Sequence, residues 1–323
     1  MRQQKKKHTV RNTILIVILV LIVGIGAYGM VKYHGIKSAV DNSYKSAGVT
    51  KERNTSSQLS NKKPISVLLM GTDTGALGRN YKGRTDSMMV ITINPKTSKT
   101  TITSIPRDTE VMIPGFEGQS PAKINAAYSW GRAKTSINTV QDMLNIPIDF
   151  YALINMGGME KVVNEVGGVD VTPTLSFKYE GYTFKKGVKT HMNGAKALAY
   201  SRMRYDDPQN DYGRQTRQRT VLMALVRKSG SISTLLNQSF IDSLSSQIQT
   251  DLTFNNLTTL AQSYRKSAKN VTETHLQGHG KMVDGQAMEV MQKSELQRVT
   301  NFIREGLGLS HKETGTSAIF TSN

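Results

Sequence analysis

The sequence predicts an α/β domain built around a layered sheet and preceded by a single N-terminal membrane helix. Three observations carry this. No residue from Asn12 to Val31 is charged, while basic residues crowd the positions just before. From Pro64 onward, short apolar or β-branched stretches alternate with segments of helical period, the pattern of a sheet covered by helices. Among the 323 residues there is no cysteine. That excludes a disulfide scaffold, Cys-ligated zinc, an iron–sulfur cluster and a thiol nucleophile.

The first eleven residues hold Arg2, Lys5, Lys6, Lys7 and Arg11 with no acid, and so carry +5 of the formal +18. The uncharged run that follows is 20 residues; as a helix it is about 30 Å long, the thickness of the hydrocarbon layer. A cleavable leader would have an apolar region of only ~7–15 residues and a small-x-small site. Here Gly29-Met30-Val31 runs into Lys32 without an Ala-x-Ala site, so an uncleaved anchor is expected. The basic tail then stays in the cytoplasm by the positive-inside rule, and the rest lies outside. The expected layout is a tail at 1–11, an anchor at 12–33, a polar stalk at 34–62, an extracellular domain at 63–308 and a loose tail at 309–323. An external domain has no steady access to chromosomal DNA or ATP. Its remaining +13 therefore points to another polyanion.

Ile65 to Met70 is an apolar run consistent with a buried strand, ending in the loop Gly71-Thr72-Asp73-Thr74-Gly75. Met88–Ile93 and Thr100–Ile105 are two further strands, joined by the turn Asn94-Pro95-Lys96-Thr97. Ile124 to Leu144 is mainly helical, with a break at Gly131, and Asp149–Ile154 is a strand. Met159–Val166 forms a short helix stopped by Gly167-Gly168, and Val169–Val171 a strand stopped before Pro173. Asn193 caps a helix through Ala199. Arg214–Arg227, Leu252–Lys266 and Ser294–Leu307 are helical, and Thr274–Leu276 and Lys281–Val283 are late strands.

Three clusters carry chemistry. Asp73 ends the first strand and Asp86 precedes the second; if these strands are neighbours, both carboxylates share a cleft and can hold Mg²⁺ beside a phosphate. Two aspartates serving their own turns are the competing reading. Next, Ser104-Ile105-Pro106-Arg107-Asp108-Thr109 delivers an arginine from a strand end to a loop, where it either binds an anion or pairs with Asp108. The third cluster packs Arg202, Arg204, Arg214, Arg217 and Arg219 into eighteen residues of a lysine-rich chain, none of them replaced by lysine. A guanidinium grips phosphate oxygens through two parallel donors, which an ammonium cannot do. Arg214 and Gln218 share a helical face with Arg217 beside it, at a helix start whose dipole favours an anion. A solvated charged helix is the alternative. Taken as one pocket, the clusters suit a diphosphate with a divalent cation, the equipment of phosphoryl transfer. His275 and His279 are expected to be surface residues.

The stretches VLLMGTD, GRTDSMMVITINP, SIPRDT, KINAAYSWG, NGAKALAYSRMR and DYGRQTRQ resemble the LytR-CpsA-Psr family of Gram-positive cell-envelope enzymes, strongly over residues 64–230. The resemblance implies a three-layer α/β/α sandwich with a central mixed sheet and an apolar tunnel for a polyprenyl chain. Residues of Val162–Val166 and Val221–Val226 either line that tunnel or belong to the core. It implies transfer of a glycopolymer, wall teichoic acid foremost, from an undecaprenyl-diphosphate carrier to the 6-hydroxyl of peptidoglycan N-acetylmuramic acid, assisted by Mg²⁺ or Mn²⁺. The implied metal ligands are Asp73 and Asp86. The implied diphosphate-binding residues are Arg84, Arg107, Arg202, Arg204, Arg214, Arg217 and Gln218, with Asp211 orienting the arginines. Of these, Arg107, Arg202, Arg204, Asp211 and Arg214 form the catalytic group. Arg219 stands where many members carry glutamine.

The implied partners are the lipid-linked glycopolymer, peptidoglycan and the membrane. The competing functions are a lipid-diphosphate hydrolase on the same pocket, a non-catalytic binder of anionic wall polymer, and a membrane-bound attenuator that binds nucleic acid. The anchor argues against the last, and no nucleic acid is expected. A reporter fused to the C-terminus should be active only as an extracytoplasmic reporter; activity only as a cytoplasmic one would overturn the topology.

Overall fold

The structure, a computed structural model, describes residues 37–38, 41–72, 83–155, 158–229, 245–264, 266–267, 270–317 and 319–321. The expected anchor at 12–33 lies outside them, and so does Asp73. Among the described residues no helix is long and apolar enough to cross a membrane.

In chain order the elements are α1 (Thr55–Ser60), β1 (Ile65–Thr72), β2 (Thr85–Asn94), β3 (Lys99–Ile105), β4 (Glu110–Val111), β5 (Ala122–Lys123), α2 (Ala126–Leu144) and β6 (Phe150–Asn155). Next come α3 (Met159–Glu165), β7 (Val169–Val171), β8 (Phe177–Tyr179), β9 (Tyr182–Phe184), β10 (Thr190–Met192), α4 (Gly194–Arg202) and α5 (Asn210–Ser229). The chain closes with β11 (Ile248–Thr250), α6 (Phe254–Ser263), β12 (Val271–His275), β13 (Gly278–Val283), β14 (Gln286–Gln292), α7 (Lys293–Gly306) and β15 (Phe320–Thr321).

The single block expected at 63–308 divides into two compact units. One, the sheet unit, comprises 44–154, 249–252 and 270–323; the other, the helical unit, comprises 1–43, 155–248 and 253–269.

The sheet unit is built on a six-stranded sheet in the order β11-β6-β1-β2-β3-β12. β2 runs antiparallel to both β1 and β3, whereas β12 runs parallel to β3, so the sheet is mixed. On one face Leu68, Met70, Met88 and Val90 pack with Ile137 and Val140 of α2 and Val299 and Ile303 of α7. The alternate residues Val67, Leu69, Met89 and Ile91 are buried as well. Burial on both faces explains the unbroken apolar runs, since such strands have no solvent side to require polar residues. Each of these side chains gains about 1.5–3 kcal/mol by leaving water. Near the end of α7 a Cβ on Gly306 would come 2.3 Å from Thr92 Oγ1, so close approach of helix to sheet requires glycine there.

Two segments expected to be loose are stitched to this unit. In the presumed stalk, Tyr44 bridges to Thr250, Tyr151 Oη donates to Lys45 O at 2.8 Å, and Leu59 is buried. Lys51 pairs with Asp251 at 2.6 Å, and Arg53 pairs with Asp149, whose side chain is 1% exposed. Two charges of the segment 44–62 thus meet buried carboxylates, which composition alone does not distinguish from a solvated linker. At the C-terminal end, Arg304 Nε donates to Ser310 O at 2.6 Å, Asn145 Nδ2 to Glu313 O at 2.9 Å, and β15 pairs with β14.

In the helical unit α3 packs on α4, and α4 on α5, which also lies against β7. Asn193 caps α4 by accepting from Lys196 N at 3.0 Å. Val162, Val163, Val166, Val221 and Ala224 are buried.

Replacing Arg53 with alanine leaves Asp149 as a buried, uncompensated charge. Urea denaturation should show a loss of about 3–5 kcal/mol; a loss below ~1 kcal/mol, the value of a surface pair, would contradict the stitched arrangement.

Candidate functional site

The expected site residues are divided between the units. In the sheet unit, the register of three strands creates one group. β1 and β2 pair evenly from Ile65↔Ile93 to Gly71↔Ser87 and then jump to Thr72↔Thr85. Asp86 is the extra residue of this bulge. Bulges release a side chain from the regular pleat and re-aim it. Across the next pair, Met88 faces Ile105, so two residues further out Asp86 and Arg107 come level. Arg107 Nη1 donates to Asp86 Oδ1 at 2.5 Å, with the side chains 18% and 19% exposed. Asp108 lies 3.5 Å from Arg107 Nε and pairs with Lys123 at 2.9 Å.

The loop carrying Arg107 is held by its backbone. Thr109 donates to Pro106 O from both N–H and Oγ1, Ile124 N–H donates to Thr109 O at 2.8 Å, and Asn125 N–H donates to Arg107 O at 3.2 Å. The pairing reading of Arg107 is therefore visible in part: it meets Asp108, but its shorter bond is to Asp86, twenty-one residues away. Arg84 is exposed, and its carbonyl accepts from Thr72 Oγ1 at 3.2 Å.

In the helical unit, the arginine cluster straddles a tight corner. Arg202 is in the last turn of α4; Arg204 follows it. The chain enters α5 through Asn210, whose φ of 46° lies in the left-handed region that asparagine tolerates. In the first turn of α5, Asp211 accepts from Arg214 Nε at 3.0 Å and from Gln215 Nε2 at 2.8 Å. A carboxylate at that position also suits the helix dipole. Arg214, Gln215, Arg217 and Gln218 are all buried, which rules out a solvated charged helix.

Arg217 differs from the other arginines. Its side chain is 2% exposed and bonded to the Asp207 carboxylate and the Met203 carbonyl, with the Phe177 ring 5.5 Å from its guanidinium carbon. Arg202 and Arg204 are half-buried, and among the described residues neither has an ion pair with a carboxylate. Beside Arg217, burial pushes the Tyr200 phenol up, only partly opposed by the Arg217 charge.

Asp86 is a hard oxygen donor at a strand end, of the kind a Mg²⁺ or Mn²⁺ ion would use with phosphate oxygens. Among the described residues no group of three or more metal-ligating side chains occurs. His275 and His279 are exposed, as expected. Sequence reasoning assigned no role to Asp207, Lys123 or Asn125. The strongest available signal was Asp207 itself, an acid placed between two arginine pairs.

The fold is a mixed α/β one, and Arg107, Arg214 and Arg217 are held against carboxylates at strand and helix ends. The chain belongs to the LytR_cpsA_psr family, whose model matches residues 26–305. It is 41% identical over 95% of its length to a polyisoprenyl-teichoic acid–peptidoglycan teichoic acid transferase TagU of Enterococcus faecalis, covering 99% of that protein. The fold matches protein gbs0355 of Streptococcus agalactiae with a TM-score of 0.72 and 36% identity, covering 84% of this chain and 96% of that one. It also matches TagT bound to LI-WTA, with a TM-score of 0.63 and 29% identity, covering 80% of this chain and 94% of the other.

Proposed function

We propose that this protein is a transferase of cell-wall assembly that moves a teichoic acid from an undecaprenyl-diphosphate carrier onto the 6-hydroxyl of peptidoglycan N-acetylmuramic acid. The observation that carries the reading is the arginine corner of α4 and α5, which offers bidentate donors in excess of its carboxylates, in a chain 41% identical to a teichoic acid transferase.

In this reading Arg202, Arg204, Arg214 and Gln218 hold the diphosphate oxygens, and Asp211 fixes Arg214 in its rotamer. In the sheet unit, Arg107 and Arg84 are the further cationic groups for phosphoryl oxygens. The sugar hydroxyl attacks the phosphorus nearest the glycan. A new O–P bond forms, the P–O bond to the lipid phosphate breaks, and undecaprenyl phosphate departs with the electron pair. The hydroxyl proton passes to solvent or to the departing phosphate. Fixed guanidinium donors stabilise the charge that grows on the phosphoryl and leaving oxygens, the kind of term that dominates such reactions. A divalent cation, Mg²⁺ or Mn²⁺, would be held by Asp86 and by Asp73, and would neutralise phosphoryl charge. An uncleaved anchor at 12–33 would keep the domain at the outer membrane face, where lipid carrier and peptidoglycan both lie.

Arg202→Ala and Arg214→Ala should each lower transfer from a synthetic polyprenyl-diphosphate glycan to peptidoglycan by roughly 100-fold or more. Circular dichroism should show the fold retained; full activity in either variant would sink the phosphate-grip role. Chelation of divalent ions should abolish transfer and Mg²⁺ should restore it. Release of a free phosphate-ended glycan in the presence of acceptor would instead indicate a hydrolase.

A further inference from the structure

We propose that Arg217 and Asp207 form a buried positioning pair that sets the spacing of Arg202 and Arg204 relative to Arg214 and Gln218, and that Arg217 is not itself a phosphate ligand. The proposal rests on the transferase reading for its consequence, and on the helical unit alone for its geometry.

The resemblance places Arg217 among the diphosphate-binding residues, but its surroundings point elsewhere. The guanidinium is 2% exposed, and the partner carboxylate is 7% exposed. One end of the fork meets Asp207 and the other meets the Met203 carbonyl. Met203 is the residue between Arg202 and Arg204, so a single side chain from α5 ties down the backbone that carries both. The Phe177 ring lies 5.5 Å from the guanidinium carbon and is packed in turn on Phe184 and Tyr200, at 4.6 and 5.8 Å between ring centroids.

Asp207 is equally committed. Its Oδ1 accepts from Gln209 N–H at 2.8 Å and its carbonyl from Asn210 N–H at 2.8 Å, which shapes the turn into α5. Gly213 makes room for it: a Cβ there would lie 1.8 Å from Asp207 Oδ2. One ion pair therefore meets the end of α4, the connecting turn and the first turns of α5. A lysine at 217 would keep the charge but lose the two-ended reach. Both Nη groups of Arg217 are engaged and the side chain is 2% exposed; its one unpartnered donor, Nε, is itself buried away from solvent. A shift of the elements it joins would misplace Arg202, Arg204, Arg214 and Gln218.

The test uses the full-length chain in detergent, with farnesyl diphosphate as the binding probe and glycan transfer to peptidoglycan as the second readout. Arg217→Lys, Asp207→Asn and Gly213→Ala should each weaken probe binding by about tenfold. Each should also slow transfer by on the order of 100-fold, the usual effect of a misplacement near 1 Å. The double variant Asp207→Asn with Arg217→Lys should bind no worse than either single variant, because both remove the same constraint. Thermal melts identify which variants remain folded at the assay temperature. Phe177→Leu, which leaves the ion pair in place, should show a smaller loss in the same direction and keeps the test decisive if the others unfold. Loss of binding in Arg217→Lys with wild-type binding in Asp207→Asn and Gly213→Ala would overturn the proposal and make Arg217 a direct ligand. Wild-type binding in folded Phe177→Leu and Arg217→Lys would overturn it as well. If the wild type binds the probe but transfers nothing, the transferase reading fails while the binding comparison still decides the role of the pair.

Discussion

A strand buried on both faces can offer chemistry only at its ends, and this constraint arranges much of the molecule. β1, β2 and β3 have no solvent face. Some of the polar side chains along them are satisfied inside, as are Thr92 and Thr101, whose hydroxyls meet at 2.7 Å, while the buried hydroxyls of Thr85 and Thr103 find no partner. Charged groups must therefore wait until the sheet runs out. Asp86 appears where the β1–β2 register slips, and Arg107 appears one proline after β3 stops. Their meeting follows from the antiparallel register of Met88 with Ile105.

The helical unit meets a different constraint. Arginine is rarely buried unless paired, because an uncompensated charge in a low-dielectric interior is strongly unfavourable. Asp211 and Asp207 answer Arg214 and Arg217 respectively, and each comes from the same short stretch of chain as its partner. The result divides one arginine-rich motif into two kinds of residue. Some guanidinium groups remain at the edge of the corner, and one becomes part of its framework. Composition treats all five alike.

The flanking segments follow the same logic on the sheet unit. Asp149 and Asp251 are buried carboxylates near the ends of β6 and β11, and Arg53 and Lys51 reach them from a segment that looks like a solvated linker. Burial pushes the Asp251 carboxyl up and Lys51 opposes that shift. The chain before β1 is thereby part of the folded unit from Tyr44 onward.

By itself the sequence determined the strand cores, most helices, the break at Gly131 and the family, because these depend on local period, caps and contiguous motifs. Non-Gly Arg132 indeed takes a left-handed φ of 60° beside that break. It determined less well the strands whose pattern is not periodic. β14 reads QAMEVMQ without clean alternation, and only the Asp284-Gly285 turn, with φ of 47° and 74°, signalled its hairpin. Tertiary structure alone decided the bulge at Asp86, the division into two units, the docking of both flanks and the burial of Arg217. Each is settled by residues distant in sequence competing for one place, and a linear chain records which charges are present, but not which of them will find a partner away from water.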